Sequence, residues 1–253
     1  VDNASQDGTA EAVQAAFPDV AVLRNAENRG FGAACNQGFA ATSAPFLLLL
    51  NPDAELRPGA LPLLVACLEE HPELALVGPR TSSSDGTPQL SFGPDLTPLS
   101  ERRQRRLVLG LRRRDPAVVR EVEELLSGER APDWLSGSCF LARRSALQAV
   151  GGFDEGYFLY EEDADLGLRL RRAGWRLRYT PRAEVVHRLG TSMARAGDRP
   201  RIEYHRSHLL YYRRHLGPLA VALLRLRLLA AALREAAAGR GGLARALVGV
   251  ALR

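Results

Sequence analysis

Phe46-Leu47-Leu48-Leu49-Leu50-Asn51-Pro52-Asp53-Ala54-Glu55 is the stretch whose reading decides the fold. Five apolar residues without a polar break read as a β-strand buried on both faces, which requires covering layers on either side. The strand ends in a turn that releases two carboxylates. In open α/β sheets, ligands sit beyond the carboxyl ends of strands. Carboxylates placed there can hold a divalent cation that bridges a diphosphate. A Pro-Asp turn leading into a helix explains the same residues, and taken alone the two readings weigh equally.

The rhythm continues outward. The pattern predicts a helix over Thr9–Ala16, with Asp7 or Thr9 as cap and Pro18 closing it. A short strand follows over Val20–Arg24, then a helix over Phe31–Thr42. Pro58-Gly59 opens a helix running to about His71, and Leu74–Val77 is another buried strand. Strand and helix alternating at this spacing imply an α/β fold with a mostly parallel central sheet flanked by helices.

Between about 79 and 132 the alternation fails. The segment carries Glu101-Arg102-Arg103-Gln104-Arg105-Arg106 and Arg112-Arg113-Arg114, and reads as a long, partly helical, mobile insertion. Order returns at Trp134-Leu135-Ser136-Gly137-Ser138-Cys139-Phe140-Leu141. A Gly151-Gly152 turn, an acidic helix over about 161–173, and strands Trp175–Tyr179 and Ala183–His187 follow. From about residue 200 the tail is helical. Its stretch Pro218–Leu233 is apolar except for Arg225 and Arg227. That is too short and too interrupted for a membrane span; a helix lying on a membrane surface and a docked helix fit equally well.

The chain has 253 residues, is 46% hydrophobic, and so can build one sizeable core with a small appendage. Its net charge of +5 comes from 34 basic residues, all Arg, and Ile202 is its sole isoleucine, so codon bias accounts for the composition as well as a binding surface does. Cys35, Cys67 and Cys139 are far apart and odd in number, without metal-ligand spacing. They read as reduced thiols in a cytoplasmic protein. The only Met is Met193, and the chain begins inside a motif, which implies an upstream strand preceding Val1.

Three further constellations carry chemistry. Val1-Asp2-Asn3-Ala4-Ser5-Gln6-Asp7-Gly8-Thr9 sets a carboxylate and small polar residues before a helix, which suits a base or ribose; a capped turn is the plainer reading. Glu161-Glu162-Asp163-Ala164-Asp165 follows the aromatic turn Tyr157–Tyr160. Carboxylates at a helix N-terminus are stabilised by its dipole, and beside an aromatic wall they also make a base of tuned pKa. His187, at a strand end, is a structural histidine or a metal ligand.

Together these stretches resemble the family 2 glycosyltransferases of GT-A fold, most closely the rhamnosyltransferase-like branch. The matching residues are Val1–Thr9, Asn28-Arg29-Gly30-Phe31-Gly32 with Asn36, Leu50–Asp53, Gly137–Arg144, Gly151–Asp165, and His187 with Gly190 and Ser192. The resemblance covers about residues 1–192. It implies a GT-A domain over 1–199, with a nucleotide and metal half to about 80, the Arg-rich insertion over about 81–132 and an acceptor half over about 133–199. Residues 200–253 are then a helical tail.

It also implies roles. Asp2 and Asn3 contact the nucleotide, with Asn28, Gly30 and Asn36 shaping that pocket. Asp53 and His187 hold Mg²⁺ or Mn²⁺. Asp163 is the general base, supported by Glu162 and Asp165. Trp134, Ser136 and Gly137 lie near the donor and acceptor sugars. The reaction is inverting, from a nucleoside-diphosphate sugar to a glycan or lipid-linked acceptor in cell-surface polysaccharide or glycolipid synthesis. Deoxythymidine-diphosphate-rhamnose is the donor the branch suggests.

Two departures stand out. Asn51 replaces the first acid usual in the metal motif, and the family's first strand is missing before Val1. A nucleotidyltransferase and a non-catalytic sugar-nucleotide-binding remnant are the alternatives. The first lacks a Gly-rich triphosphate loop. Nucleic acid is not an expected partner, because residues 101–114 hold no aromatic side chain to stack a base. The Arg runs fit a solvated face, or peripheral contact with the inner face of a membrane.

Overall fold

The computed structural model describes residues 1–188 and 197–252. In chain order its elements begin with α1 (Thr9–Ala16), α2 (Phe31–Ala40), β1 (Phe46–Leu50), β2 (Ala54–Leu56), α3 (Ala60–Glu70) and β3 (Leu74–Ser82). Then come β4 (Pro88–Gln89), β5 (Phe92–Gly93), α4 (Pro98–Arg112), α5 (Pro116–Leu126), β6 (Trp134–Leu135) and β7 (Cys139–Arg143). The chain continues through α6 (Arg144–Val150), α7 (Glu162–Arg172), β8 (Arg176–His187), α8 (Arg199–His215), α9 (Pro218–Ala237) and α10 (Gly241–Leu252). Gly190 and Ser192, two of the motif positions, lie outside the described residues.

Contacts divide the described chain into two units. One is Val1–Ala41 with Asp154–Glu162 and the residues from 197 onward; the other is Thr42–Phe153 with Asp163 to Arg188.

The second unit is built on a sheet of order β1-β7-β3-β8-β2, with β4 on the free end of β3. The sheet is mixed rather than mostly parallel: among the described pairings of this sheet only β3 with β8 is parallel. The reason is the place of β7. The β1–α3–β3 crossover does join strands of like direction, as the alternation predicts. But β7 enters between them and runs against both.

Helix α3 covers one face of the sheet. Ala60, Leu64 and Leu68, four residues apart, pack with Leu74, Val77, Leu141 and Ala183, and Phe46 and Leu48 of β1 lie against this cluster. Leu47 and Leu49 are also buried, whereas Leu50 at the strand end is exposed. The two strands expected over 175–187 are one strand, β8. Its pairing with β3 skips from Pro79 opposite Thr180 to Arg80 opposite Glu184, so the break at Pro181 is a bulge.

The Arg-rich insertion folds as two helices. Thr97 and Ser100 form a capping box for α4, and Asp115 caps α5. Arg103 and Arg106 of α4 both face Glu121 of α5, and Arg114 meets Asp85, so part of its charge is compensated internally.

In the first unit the predicted strand Val20–Arg24 is not a strand. A single parallel bridge joins Arg24 to Asp2. α1 begins after Gly8 without a side-chain cap on its first turn, although Asp7 accepts from the Thr9 amide at 3.2 Å. In the tail, α9 and α10 pack through Ala232, Leu243 and Leu247 with Ile202 of α8. Among the described residues no helix is long and apolar enough to cross a membrane.

Candidate active site

The turn after β1 is short, so register decides what Asp53 meets. Antiparallel pairing sets Ala54 opposite His187. Asp53 Oδ1 then lies 3.1 Å from His187 Nε2, and Asn51 Nδ2 lies 3.5 Å from the same nitrogen. Gln89 fixes the ring from behind. Its Nε2 donates to Ser83 Oγ and to the His187 carbonyl, both at 2.8 Å, which turns its Oε1 toward His187 Nδ1 at 3.2 Å. The imidazole is thus held between the Gln89 amide at Nδ1 and the Asp53 carboxylate at Nε2. An imidazole nitrogen and a carboxylate oxygen at that distance share a proton, and could share a cation in its place. His187 is buried, and Asp53 keeps partial access to solvent.

From this pair a run of contacts leads to the acidic helix. Leu50 is opposite Cys139, and the Asn51 amide donates to the Ser138 carbonyl at 2.9 Å. Ser136 Oγ bonds Ser138 Oγ at 3.1 Å, and the Gly137 amide donates to Asp163 Oδ2 at 3.1 Å. The Ala164 amide donates to Asp163 Oδ1 at 2.8 Å. Asp163 thus stands at the first turn of α7 with a backbone amide donating to each of its oxygens.

Asp165 differs from Asp163. It is 1% exposed and takes Arg169 Nε at 2.6 Å, while Arg169 Nη1 donates to the carbonyls of Val150 and Gly152. Its carboxylate locks α7 to the Gly151-Gly152 turn. Trp134 donates from Nε1 to the Pro94 carbonyl at 2.9 Å, and its ring edge packs on Gly93 in the β5–β6 ladder.

In the other unit Asn3 organises a polar knot. Its Nδ2 donates to Asn28 Oδ1 and to the Gly30 carbonyl, and its Oδ1 accepts from Asn25 Nδ2 and the Arg29 amide, each at 3.0 Å. Asp2 is tied through its backbone to Leu23 and Asn25, and its carboxylate takes the Ser5 amide. Asn36 reaches Glu155 Oε1 at 3.1 Å, and Arg29 lies 3.5 Å from the same side chain.

Gly30 has φ 91°, and the Phe31 amide donates to the Phe158 carbonyl at 2.9 Å; a Cβ on Gly30 would stand 2.5 Å from that oxygen. Only glycine permits so close an approach in that conformation.

The turn that begins at Phe158 is strained and anchored. Tyr160 and Glu161 are consecutive left-handed residues, φ 71° and 66°. Glu161 Oε1 meets His208 Nδ1 at 3.0 Å, with both side chains buried, and Ser207 Oγ donates to the Leu159 carbonyl at 2.8 Å. Glu162 follows, also buried. Burial, reinforced by Glu162, pushes the Cys35 thiol up to about 12.

Sequence reasoning singled out Asp53, His187, Asp163, Gly137 and Asn3, and each takes part in one of these clusters. It named Glu155 and Glu161 without giving them these contacts, and it missed Gln89 and His208. Gln89 lies in a polar stretch with no motif, and His208 in a helix whose histidines look alike in the sequence. Among the described residues no group of three or more His, Cys, Asp or Glu stands close enough to hold a metal by itself.

Residues 1–151 match the family model described as Glycosyl transferase family 2, and residues 112–240 match Glycosyl transferase family group 2. An N-acetylglucosaminyl-diphospho-decaprenol L-rhamnosyltransferase of Mycobacterium tuberculosis is 36% identical, over 85% of this chain and 74% of that one. Rhamnosyltransferase WbbL of Escherichia coli is 46% identical over a shorter stretch, 26% of this chain and 25% of its own. Among solved structures, a mannosyltransferase of Pyrobaculum calidifontis in complex with GDP-Man and Mn²⁺ superposes with a TM-score of 0.54 at 18% identity, over 99% of this chain and 75% of that one.

Proposed function

We propose, from the premise that this chain belongs to glycosyl transferase family 2 and is a glycosyltransferase of GT-A fold, that it transfers a sugar with inversion from a nucleoside-diphosphate donor to a hydroxyl of a lipid-diphosphate-linked saccharide. The observation that carries the reading is the run of contacts from His187 and Asp53 through Asn51 and the 136–138 loop to Asp163. A nucleotidyltransferase is not favoured, since both family models and the named relatives are sugar transferases.

Asp53 and His187 fit a divalent cation. A carboxylate oxygen and the imidazole nitrogen facing it make a donor pair suited to Mn²⁺ and acceptable to Mg²⁺. With two protein ligands, a bound cation would take its remaining ligands from substrate and water. When bound, the cation would neutralise charge growing on the leaving diphosphate. Asn51 in place of an acid makes this hold weaker than two carboxylates would.

Asp163 takes the acceptor's proton. The acceptor oxygen bonds to the anomeric carbon as the bond to the diphosphate oxygen breaks, and the hydroxyl proton passes to the Asp163 carboxylate. The Gly137 and Ala164 amides hold that carboxylate in place. Asp165 keeps the helix in place and touches no substrate. Asp2, Asn3, Asn28, Gly30 and Asn36 belong to the nucleotide side, and Trp134, Ser136 and Gly137 to the sugars. The relatives' names support a rhamnosyl donor; a place at the inner face of the cell membrane, in cell-surface polysaccharide synthesis, is part of the same proposal.

The test is a donor screen that detects released nucleoside diphosphate, run on the parent chain, Asp163→Asn and Asp165→Asn. Asp163→Asn should lose about 10²–10⁴-fold in turnover with donor affinity retained. Asp165→Asn should lose stability instead. Near-native turnover by Asp163→Asn overturns the assignment. Full activity of the parent after chelation overturns the cation.

A further inference from the structure

Helix α9 is covered on one side only. Leu224, Leu228, Ala232 and Glu235 are buried, and Ala232 joins the small core with Leu243 and Leu247 of α10. On the opposite side Leu219, Leu223, Leu226 and Leu233 are 74%, 51%, 62% and 72% exposed. At 3.6 residues per turn these four lie within about 45° of one line along the helix. Exposed Arg227 and Arg234 fall together on one flank of that line, about 60–80° from Leu219. The single acid of α9 is Glu235, which is buried and bonded to Arg201 and Arg240. The open face is therefore apolar along its centre, basic along its edge, and free of carboxylates.

Single exposed leucines are ordinary on a protein surface; four in one stripe are not. The combination matches a helix lying in a lipid interface, with leucines at the acyl boundary and guanidinium groups reaching back to phosphates. We propose that this face of α9 docks on the surface of an anionic lipid bilayer. The helix has 20 residues and lies along the bilayer, since no described helix is apolar enough to cross it. A second copy of the chain fits the face less well, because it would bring two more arginines and no carboxylate to meet them. The proposal does not depend on the catalytic reading.

The full chain is floated with vesicles of phosphatidylcholine alone and of phosphatidylcholine mixed with phosphatidylglycerol. Two variants are compared with it. One carries Leu219→Gln, Leu223→Gln, Leu226→Gln and Leu233→Gln; the other carries Arg227→Gln and Arg234→Gln. The parent should bind the anionic vesicles and bind phosphatidylcholine far less. The leucine variant should lose at least about 100-fold in affinity. The arginine variant should lose about fivefold per residue, and only on anionic vesicles. Both should keep the parent's circular dichroism, because every altered side chain is exposed. Absence of parent binding, or equal binding by the leucine variant, overturns the proposal. So does a parent that ignores vesicles but self-associates in sedimentation velocity through the same leucines.

Discussion

His208→Ala removes the imidazole that meets Glu161 and leaves a carboxylate that is 8% exposed without its partner. A hydrogen bond to a charged group contributes about 1.5–3 kcal/mol. Stranding one member of a buried ion pair costs about 3–5 kcal/mol. Against this stands the strain of Tyr160 and Glu161, both left-handed, at about 1–3 kcal/mol each. Once the anchor is gone the turn can relax and recover part of that strain. The net loss should therefore be about 2–4 kcal/mol.

Ring packing also disappears, because His208 stacks on Tyr204 at 5.4 Å and lies 4.7 Å from Tyr212. A double-mutant cycle separates the two effects. Glu161→Gln keeps the shape and removes the charge that His208→Ala strands. The double variant should lose at least about 1 kcal/mol less than the two single losses added together. Urea unfolding followed by tryptophan fluorescence measures all four proteins. A His208→Ala loss within about 0.5 kcal/mol of zero, or strict additivity in the cycle, refutes the reasoning, since the first removes the anchor and the second leaves only packing.

Gly30→Ala should cost about 2–4 kcal/mol, from a Cβ 2.5 Å from the Phe158 carbonyl and a φ of 91°; an unchanged melting temperature would refute the close approach. His205 is held down to about 4 by burial, with His208 and Arg201 adding to the shift, below its ordinary 6.5. The fold favours its neutral form, so this stability is complete above about pH 6.5 and is lost as pH falls toward 4. Urea midpoints should drop between pH 7 and 5, and His205→Gln should flatten that slope; an unchanged slope contradicts it. Burial pushes the Cys139 thiol up to about 12, so a disulfide reagent near pH 8 should label it only after unfolding. Rapid native labelling of Cys139 would contradict its burial.

Local patterns made the strand-helix order readable. The five-residue run Phe46–Leu50 is β1, and the helices around Thr9, Phe31, Ala60 and Glu162 begin close to where capping, proline and small-residue signals place them. Val20–Arg24 misled because, among the described residues, the segment makes one isolated bridge, Arg24 to Asp2, rather than a ladder. A strand exists only where another pairs with it, and periodicity does not report that. The mostly parallel sheet was misread for a related reason. Alternation sets the direction of β1 and β3, but β7, coming later in the chain, is inserted between them.

The chemistry divides in the same way. The amino-acid sequence by itself determined which side chains can do the work: a carboxylate after a buried strand, an acidic first turn on a helix, a histidine at a strand end, and glycines where backbones must approach. These are one-residue properties or short-range patterns, and they survive without coordinates. Only the tertiary structure decided which of them meet. Asp53 and His187 are 134 residues apart in sequence and become neighbours through the register of β2 on β8. Gln89, with no motif of its own, holds the ring and the backbone of that histidine through contacts made across a sheet. Asp163 and Asp165 are indistinguishable in a string of acids, yet one rests against the Gly137 amide and the other is sealed by Arg169. Partners in strand pairing and burial are chosen by long-range packing, so a side chain's role depends on contacts its neighbours in sequence do not encode.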